Sequence, residues 1–374
     1  MAHHMKSLIS IYVQKFPNGA KLPVKIISDS TDLPPALGKV TSHDVAKAAG
    51  VSQATVSRVL RNDLKVTQAT RERVQQALVD LRYEPHAMAR AFRSQRAGSI
   101  GVVVARLSYP LYATMLEAIG AKLSSLGHRM MVWDAEYGGD LPASKALRQG
   151  LVDGVILLAV TASSEFLKDT SSASAPVVLL NRTMDEYPSD QVGSDNVEGG
   201  RMVAQYFMGH GLQHLALIGG LQRATPIRDR ELGFRQALEE AGHALPQNKY
   251  RRSESFTYQS GREAARELLL TSPTPEAIFC VNDMLALGAI DGIKSMGFHV
   301  PQDVWVVGYD DIELSSWDSY DLTTVRQPIQ GMVNEAVDLL LAKIANPGKA
   351  QVLMKVPNEL VVRSSSEGRA FLET

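Results

Sequence analysis

The chain reads as an all-α N-terminal headpiece and a short linking helix followed by an α/β body of two lobes, each built on a parallel sheet. Three observations predict it. Two short amphipathic helices joined by a glycine turn lie between Lys39 and Leu60, and a third runs to Arg82. From Ser99 onward, short unbroken apolar runs alternate with helical stretches, the pattern of strands covered on both faces. That rhythm pauses at Ser194–Asn196 and then starts again, which divides the body in two.

In the first helix, Ser42 to Ala49, the spacing puts Val45, Ala46 and Ala49 on one side. Thr41 or Ser42 can cap its start, and Gly50 stands where a left-handed residue is favoured. Ser52 can cap a second helix, Gln53 to Leu60. There Val56, Val59 and Leu60 face inward, while Gln53, Ala54, Ser57 and Arg58 share the outer face. A third helix, about Thr67 to Arg82, places Val74, Leu78 and Leu81 at helical spacing to close a small core. Two short helices on a tight glycine turn, the second with a polar, arginine-bearing outer face, form a helix-turn-helix. A plain three-helix bundle shares that pattern, so the next segment matters. YEPHAMARAFRSQRAGSIGVVV sets Pro85 at a helix start, then Met88 and Phe92 one turn apart, then a glycine and a buried strand.

The first lobe begins with IGVVVA and a helix from about Tyr112. RMMVWDA, a helix near Pro142 to Gln149, DGVILLA, a further helix and APVVLLN follow. The second begins with a helix at Glu198–His210, then HLALIGG, a helix at Glu231–Ala241, a strand near Arg251–Ser255 and a helix at Ser260–Leu270. AIFCVND, a helix at Met284–Met296 and VWVVGYDD complete it. In open parallel sheets ligands bind beyond the carboxyl ends of the strands.

Net charge is −1 over 374 residues, but it is unevenly spread. Residues 39–96 carry 11 Lys/Arg against 5 Asp/Glu, and residues 97–374 carry 24 against 33. A basic module on an acidic body suits DNA at one end, with the body repelled by phosphates. The single cysteine, Cys280, sits between Phe279 and Val281, which reads as a buried structural thiol in a reducing cytoplasm. No run approaches the ~18 apolar residues of a membrane span, and no basic stretch followed by an apolar one marks a secretory signal. Residues 1–38 read as a disordered leader or an over-long start, with a tag scar at Met1–Met5. The C-terminal VVRSSSEGRAFLET lacks leucine heptads, so nothing suggests a tetramerising coiled coil.

Enzyme signatures are weak. Asp310-Asp311 is a carboxylate pair, yet neighbours on an extended segment point opposite ways. His210 and His214 are four apart, but Gly211 interrupts the helix a metal pair would need. GHGLQH lacks the third glycine of a dinucleotide fingerprint, and neither GxxxxGK[ST] nor GxSxG occurs. No cofactor is expected.

DVAKAAGVSQATVSRVLRN, followed by VTQATRERVQQALVDLRYEP and IGVVV, resembles the lactose-repressor (LacI/GalR) family of bacterial transcription regulators, from about Lys39 to Ser365. The resemblance implies a body like the type I periplasmic binding proteins. It assigns residues 1–38 to a leader, 39–83 to the helix-turn-helix domain, 84–97 to a hinge helix and 98–374 to an effector-binding and dimerisation domain. The lobes would be 98–194 with 328–352, and 195–327 with 353–365. It implies that Gln53, Ala54 and Arg58 choose bases in the major groove, where each base pair is distinguishable. Ser42, Ser52, Thr55, Ser57 and Thr67 would hold phosphates, although helix capping explains these hydroxyls equally well. Met88 and Phe92 form the apolar face of the hinge helix, with Phe92 at the minor-groove wedge position where the family has leucine.

At the strand ends the resemblance points to Arg106, Leu107, Tyr109, Asn181, Arg228, Arg230, Phe256, Asn282, Asp283, Asp310 and Gln327 as effector residues. Arg106 stands where the family usually has aspartate. Arg230 matches the ligand-gripping arginine, and Phe256 the stacking aromatic. Asn, Asp and Arg converging on an aromatic plate suits sugar hydroxyls. Arg106 and Arg230 together favour a carboxylate or phosphate, and a surface salt bridge explains Arg106 equally well. Asp283 and Asp311 serve equally as helix caps. The expected protein is therefore a cytoplasmic homodimer on pseudo-palindromic operator DNA. It would repress a carbohydrate or sugar-acid catabolic operon in response to a sugar or sugar-acid effector, with no membrane partner. A solute-binding transport protein would need a secretory signal and no helix-turn-helix, and an enzyme would need a catalytic constellation in the cleft.

Overall fold

A computed structural model describes residues 40–367, except 61, 62, 64, 82, 84–95, 105, 136–139, 159–165, 167–175, 185, 186, 188, 222 and 223. The expected leader, Met88, Phe92 and nearly all of the hinge helix lie outside the described residues, as does most of the helix expected between DGVILLA and APVVLLN. The chain divides into two compact units, residues 1–85 and 86–374.

The first unit holds α1 (Ser42–Ala49), α2 (Gln53–Leu60) and α3 (Gln68–Asp80). Thr41 begins α1 with a reciprocal cap. Its N–H donates to Asp44 Oδ2 at 2.8 Å, and the Asp44 N–H donates back to Thr41 Oγ1 at 3.4 Å. Gly50 ends the helix at φ +63°, a conformation that a side chain would strain. Ser52 caps α2 by accepting the Thr55 N–H at 3.2 Å. Val45, Ala46, Ala49, Val56, Val59, Val74 and Ala77 form the buried core. Leu60, expected inside, is 40% exposed. It lies about 100° round the helix from Val59, and the two valines of α2 already fill the space against Val45 and Val74. In α3 the buried positions are Val74 and Ala77, with Leu78 and Leu81 at the edge.

Among the described residues the body holds two six-stranded sheets. The first runs in the order β11 (Leu353–Val356), β5 (Asp190–Ser194), β4 (Val177–Leu180), β3 (Gly154–Leu157), β1 (Ser99–Val104), β2 (Arg129–Asp134), parallel throughout. Against it pack α4 (Pro110–Ser125), α5 (Asp140–Arg148) and α10 (Ile329–Ala345). The second sheet runs β12 (Glu359–Val361), β10 (Thr323–Arg326), β9 (Trp305–Asp310), β8 (Ala277–Cys280), β6 (Leu215–Gly219), β7 (Tyr250–Arg252), with only the β10–β12 pair antiparallel. Around it lie α6 (Asn196–Gly209), α7 (Thr225–Glu240), α8 (Tyr258–Leu269) and α9 (Asp283–Ser295). β1 is buried along its whole length, as its unbroken apolar run requires.

The chain crosses between lobes after β5, after β10 and after β11. This corrects the expected boundary at 352/353. Leu353–Val356 pairs with Asp190–Ser194 in the first sheet, so the second return falls at residues 357–358. Neither β5 (DQVGS) nor β11 (LMKV) carries a long apolar run, and their membership is decided by backbone pairing alone. Helix α7 begins at Thr225 rather than Glu231, because Thr225-Pro226 supplies a helix start that apolar periodicity does not register. Strand β7 stops at Arg252, short of the expected Ser255, because the Ser253 side chain and the Ser255 N–H bond locally.

Candidate functional site

Two regions bring the sequence-predicted residues together. In the first unit, Gln53, Ala54 and Arg58 are exposed on the outer face of α2. The Gln53 amide donates to Ser42 Oγ at 2.7 Å, which ties the start of α2 to α1 and fixes the direction of that side chain. Ser52 and Thr55 share a hydroxyl bond of 2.9 Å beside the same helix start. Thr67 opens α3 without a side-chain cap, its hydroxyl donating instead to Thr70 at 2.9 Å. Arg71 donates to the Asp63 carbonyl at 2.9 Å, holding the α2–α3 connection against α3. A cation, an amide and hydroxyls thus share one solvated face of a small rigid unit, an arrangement that can meet base edges and phosphates.

The second region lies at the carboxyl ends of the body strands. Asp310, the last residue of β9, is buried with φ +115°, and Asp311 follows at +53°. Two successive residues in sparsely populated backbone regions mark a place over-determined by its surroundings. The surroundings are visible. Asp310 Oδ1 accepts Gln327 Nε2 at 2.7 Å and pairs with Arg230 Nη2 at 3.0 Å, and Oδ2 accepts the Tyr109 hydroxyl at 2.6 Å. Burial pushes the Asp310 carboxyl up, opposed by Arg230 and by the Tyr109 and Gln327 hydrogen bonds.

Arg230 is buried and held from several sides. Nε donates to Asn196 Oδ1 at 2.8 Å and Nη1 to the Val281 carbonyl at 2.7 Å, and the guanidinium lies 3.6 Å above the Tyr309 ring. The charge of Arg230 is matched inside the protein by Asp310. The backbone of Arg230 is seated by glycines. A methyl on Gly200 would strike the Arg230 carbonyl, and one on Gly233 would strike that of Val197, so α6 and α7 meet backbone to backbone.

The remaining predicted residues separate. Asn181 follows β4, buried at φ +69°, and among the described residues its Oδ1 and the buried Gln327 Oε1 have no hydrogen-bond partner. Phe256 is half-buried against Gly220. Asn282 is the cap of α9, accepting the Leu285 N–H at 2.9 Å. Asp283 is wholly buried, and both oxygens are engaged within its lobe by the Ile312 N–H at 2.9 Å and the Thr324 hydroxyl at 2.6 Å. It braces β9 and β10 from a wholly buried position. Leu107 is 49% exposed, and Arg228 pairs with its neighbour Asp229 at 2.9 Å on the surface. Neither is drawn in by the Asp310 cluster, and Arg106 is half-buried at the end of β1. Asp311 joins Arg326 at 2.6 Å and Arg363 at 2.7 Å, so the two adjacent carboxylates serve different cations.

Sequence reasoning missed Asn196, Tyr309 and Asn358. Asn358 donates to the Asp195 carbonyl at 2.7 Å and to the Tyr309 hydroxyl at 3.0 Å, lacing two crossings together. The signals were faint: a polar residue in each crossing, and an aromatic beside Asp310.

Both compact units resemble known proteins. Residues 41–86 match the model described as bacterial regulatory proteins, lacI family, and residues 204–366 match a periplasmic binding protein-like domain. The HTH-type transcriptional regulator DegA of Bacillus subtilis is 34% identical over 335 residues, covering 88% of this chain and 98% of the relative. The chain belongs to the lacI family. The ribose operon repressor of Escherichia coli is 31% identical, with 87% of this chain and 99% of the relative covered. Among solved structures, the lac repressor dimer bound to operator and an anti-inducer aligns at a TM-score of 0.78 and 28% identity, over 88% of this chain and 99% of that one. The regulator CelR in complex with cellobiose aligns at 0.68 and 31%, over 87% and 100%. As a lacI-family member the chain is a DNA-binding transcription regulator with a helix-turn-helix region and a two-lobe body, and its relatives are regulators rather than enzymes. Among the described residues no helix is long and apolar enough to cross a membrane.

Proposed function

We propose that this regulator is a cytoplasmic homodimeric repressor of a carbohydrate catabolic operon, with a sugar effector bound between the lobes. The observation that carries the effector reading is the Arg230–Asp310–Gln327 cluster. Three polar groups from separate segments meet at a strained strand end, and Gln327 Oε1 in that cluster is a buried acceptor with no partner among the described residues. Such a cluster is suited to hydroxyl-rich ligands. The names of relatives support it, since one represses a ribose operon and another is solved with cellobiose.

In the first unit Arg58 reads a guanine bidentately, Gln53 an adenine, and Ala54 adds a methyl contact. Ser42, Ser52, Thr55, Ser57 and Thr67 face phosphates. Met88 and Phe92 would wedge the minor groove. Arg230 holds Asp310 in place and keeps N–H donors with which to meet a ligand. The effector shifts the population between lobe arrangements that favour and disfavour operator binding. The protein acts by binding and not by catalysis, a reading supported by the separate cation partners of Asp310 and Asp311. A thermal-shift screen against neutral sugars, sugar acids, sugar phosphates and nucleobases tests the effector reading. A ligand at 100 times its Kd raises stability by ~2.7 kcal/mol, and a hit confined to nucleobases would overturn the sugar assignment.

A further inference from the structure

The Asp310 cluster has one member from the opposite lobe. Tyr109 precedes α4 in the first lobe, whereas Asp310, Arg230 and Gln327 belong to the second lobe and its crossing. Pro110 at the first helical position restricts Tyr109 to extended backbone, observed at φ −81° and ψ 121°. The ring of Tyr112 meets that of Tyr109 edge-on at 5.6 Å, which sets its tilt. So held, the phenol donates to Asp310 Oδ2 at 2.6 Å, a charge-assisted bond that joins the lobes. Burial first, and then the Asp310 charge, push the Tyr109 hydroxyl well above its ordinary range, so it stays protonated and remains a donor.

We propose that Tyr109 is a built-in surrogate for the effector: in the unliganded body its phenol occupies the effector's place on Asp310 and holds the lobes closed, and a ligand binds by displacing it. The proposal rests on the effector reading above. It also narrows the ligand. Asp310 is buried, and an oxygen left without a donor there is strongly unfavourable, so the group that replaces the phenol must itself donate. A hydroxyl or amine can do so, and a carboxylate or phosphate cannot. The buried unpartnered acceptors ask for the same polarity. Asn181 Oδ1 stands at a strand end of the first lobe. Gln327 Oε1 is the far end of an amide whose nitrogen already serves Asp310. With the Arg230 charge matched within the protein, the site selects a neutral polyol over a sugar acid. Because the phenol is attached to the chain, it lowers apparent affinity by the fraction of molecules it holds closed.

The test uses the full chain and its Tyr109→Phe variant. In the absence of ligand, hydrogen exchange of peptides covering residues 106–116 and 309–314 should be at least ten-fold faster in the variant. Equal exchange in both proteins would overturn the closure. D-ribose, cellobiose and gluconate then serve as probes in thermal-shift titrations. A neutral sugar is expected to bind the variant at least ten-fold more tightly than the parent. Weaker binding by the variant would make the phenol a ligand contact and overturn the surrogate role while leaving the effector reading intact. Gluconate binding more tightly than both neutral sugars would overturn the selection of a neutral polyol over a sugar acid. No shift with any probe, alongside the exchange difference, supports closure by Tyr109 and tells against the sugar reading of the cleft.

Discussion

Arg58 and Arg230 are both arginines, and their surroundings assign them opposite duties. Arg58 is exposed at the end of α2 on a solvated face. Arg58→Ala should weaken specific operator binding by ~1–3 kcal/mol and relax preference at one base pair. Mobility shifts on a set of operator variants read both effects, and an unchanged preference would remove Arg58 from the reading surface. Arg230 is 2% exposed, and its loss strands the buried Asp310 carboxylate. Arg230→Ala should therefore destabilise the body by ~3–5 kcal/mol, seen as a lowered melting temperature before any ligand is added. Asp311 offers a pH test. Burial raises its carboxyl, but hydrogen bonds from Arg326 and Arg363 outweigh that and hold it below the ordinary 3.8. A depressed carboxyl binds its proton more weakly folded than unfolded, so its contribution is present above pH 3.8 and is lost as pH falls through the depressed value. Asp311→Asn should melt lower than the parent at neutral pH, with the gap closing in acid. Asparagine tolerates the positive φ here, so charge is the property removed.

Among elements, the α6–α7 pair controls the site's accuracy. Gly200 and Gly233 let the two helices touch through backbone, and Arg230 is on the contact. Gly233→Ala should cost about 1–3 kcal/mol through overpacking. It should also move Arg230 off Asp310, so urea unfolding and ligand affinity should fall together. Affinity unchanged at reduced stability would separate the helix contact from the site. The periodic elements were legible in the sequence because burial on one face or both leaves a repeat of apolar residues. β5 and β11 were not, because their place in the sheet depends on backbone partners rather than side-chain pattern.

Across the whole molecule the two compact units have separate cores. Cleavage in the segment 84–95 should leave a body that melts at the same temperature as in the intact chain, and scanning calorimetry of both forms checks it. A body melting much lower after cleavage would show that the first unit supports it. The charge division belongs to this scale too: 11 Lys/Arg against 5 Asp/Glu in residues 39–96, and 24 against 33 beyond. Binding to DNA should weaken steeply with salt, as release of counterions from phosphates requires.

By itself the sequence determined the helix-turn-helix, the strand–helix rhythm of the body and the division into lobes. Each rests on local periodicity, capping residues and apolar runs that a short window contains. It also named Tyr109, Asn181, Asp310 and Gln327 near strand ends, where open parallel sheets place ligands, and Arg230 through the family resemblance. What only the tertiary structure decided is how those residues use their atoms. Arg230 turns its fork to Asn196, Val281 and Asp310, Asp283 becomes a brace, and Tyr109 reaches across the lobes to Asp310. The physical reason is that a hydrogen bond depends on atoms brought within about 3 Å, and partners 201 residues apart in the chain leave no trace of that meeting in either neighbourhood.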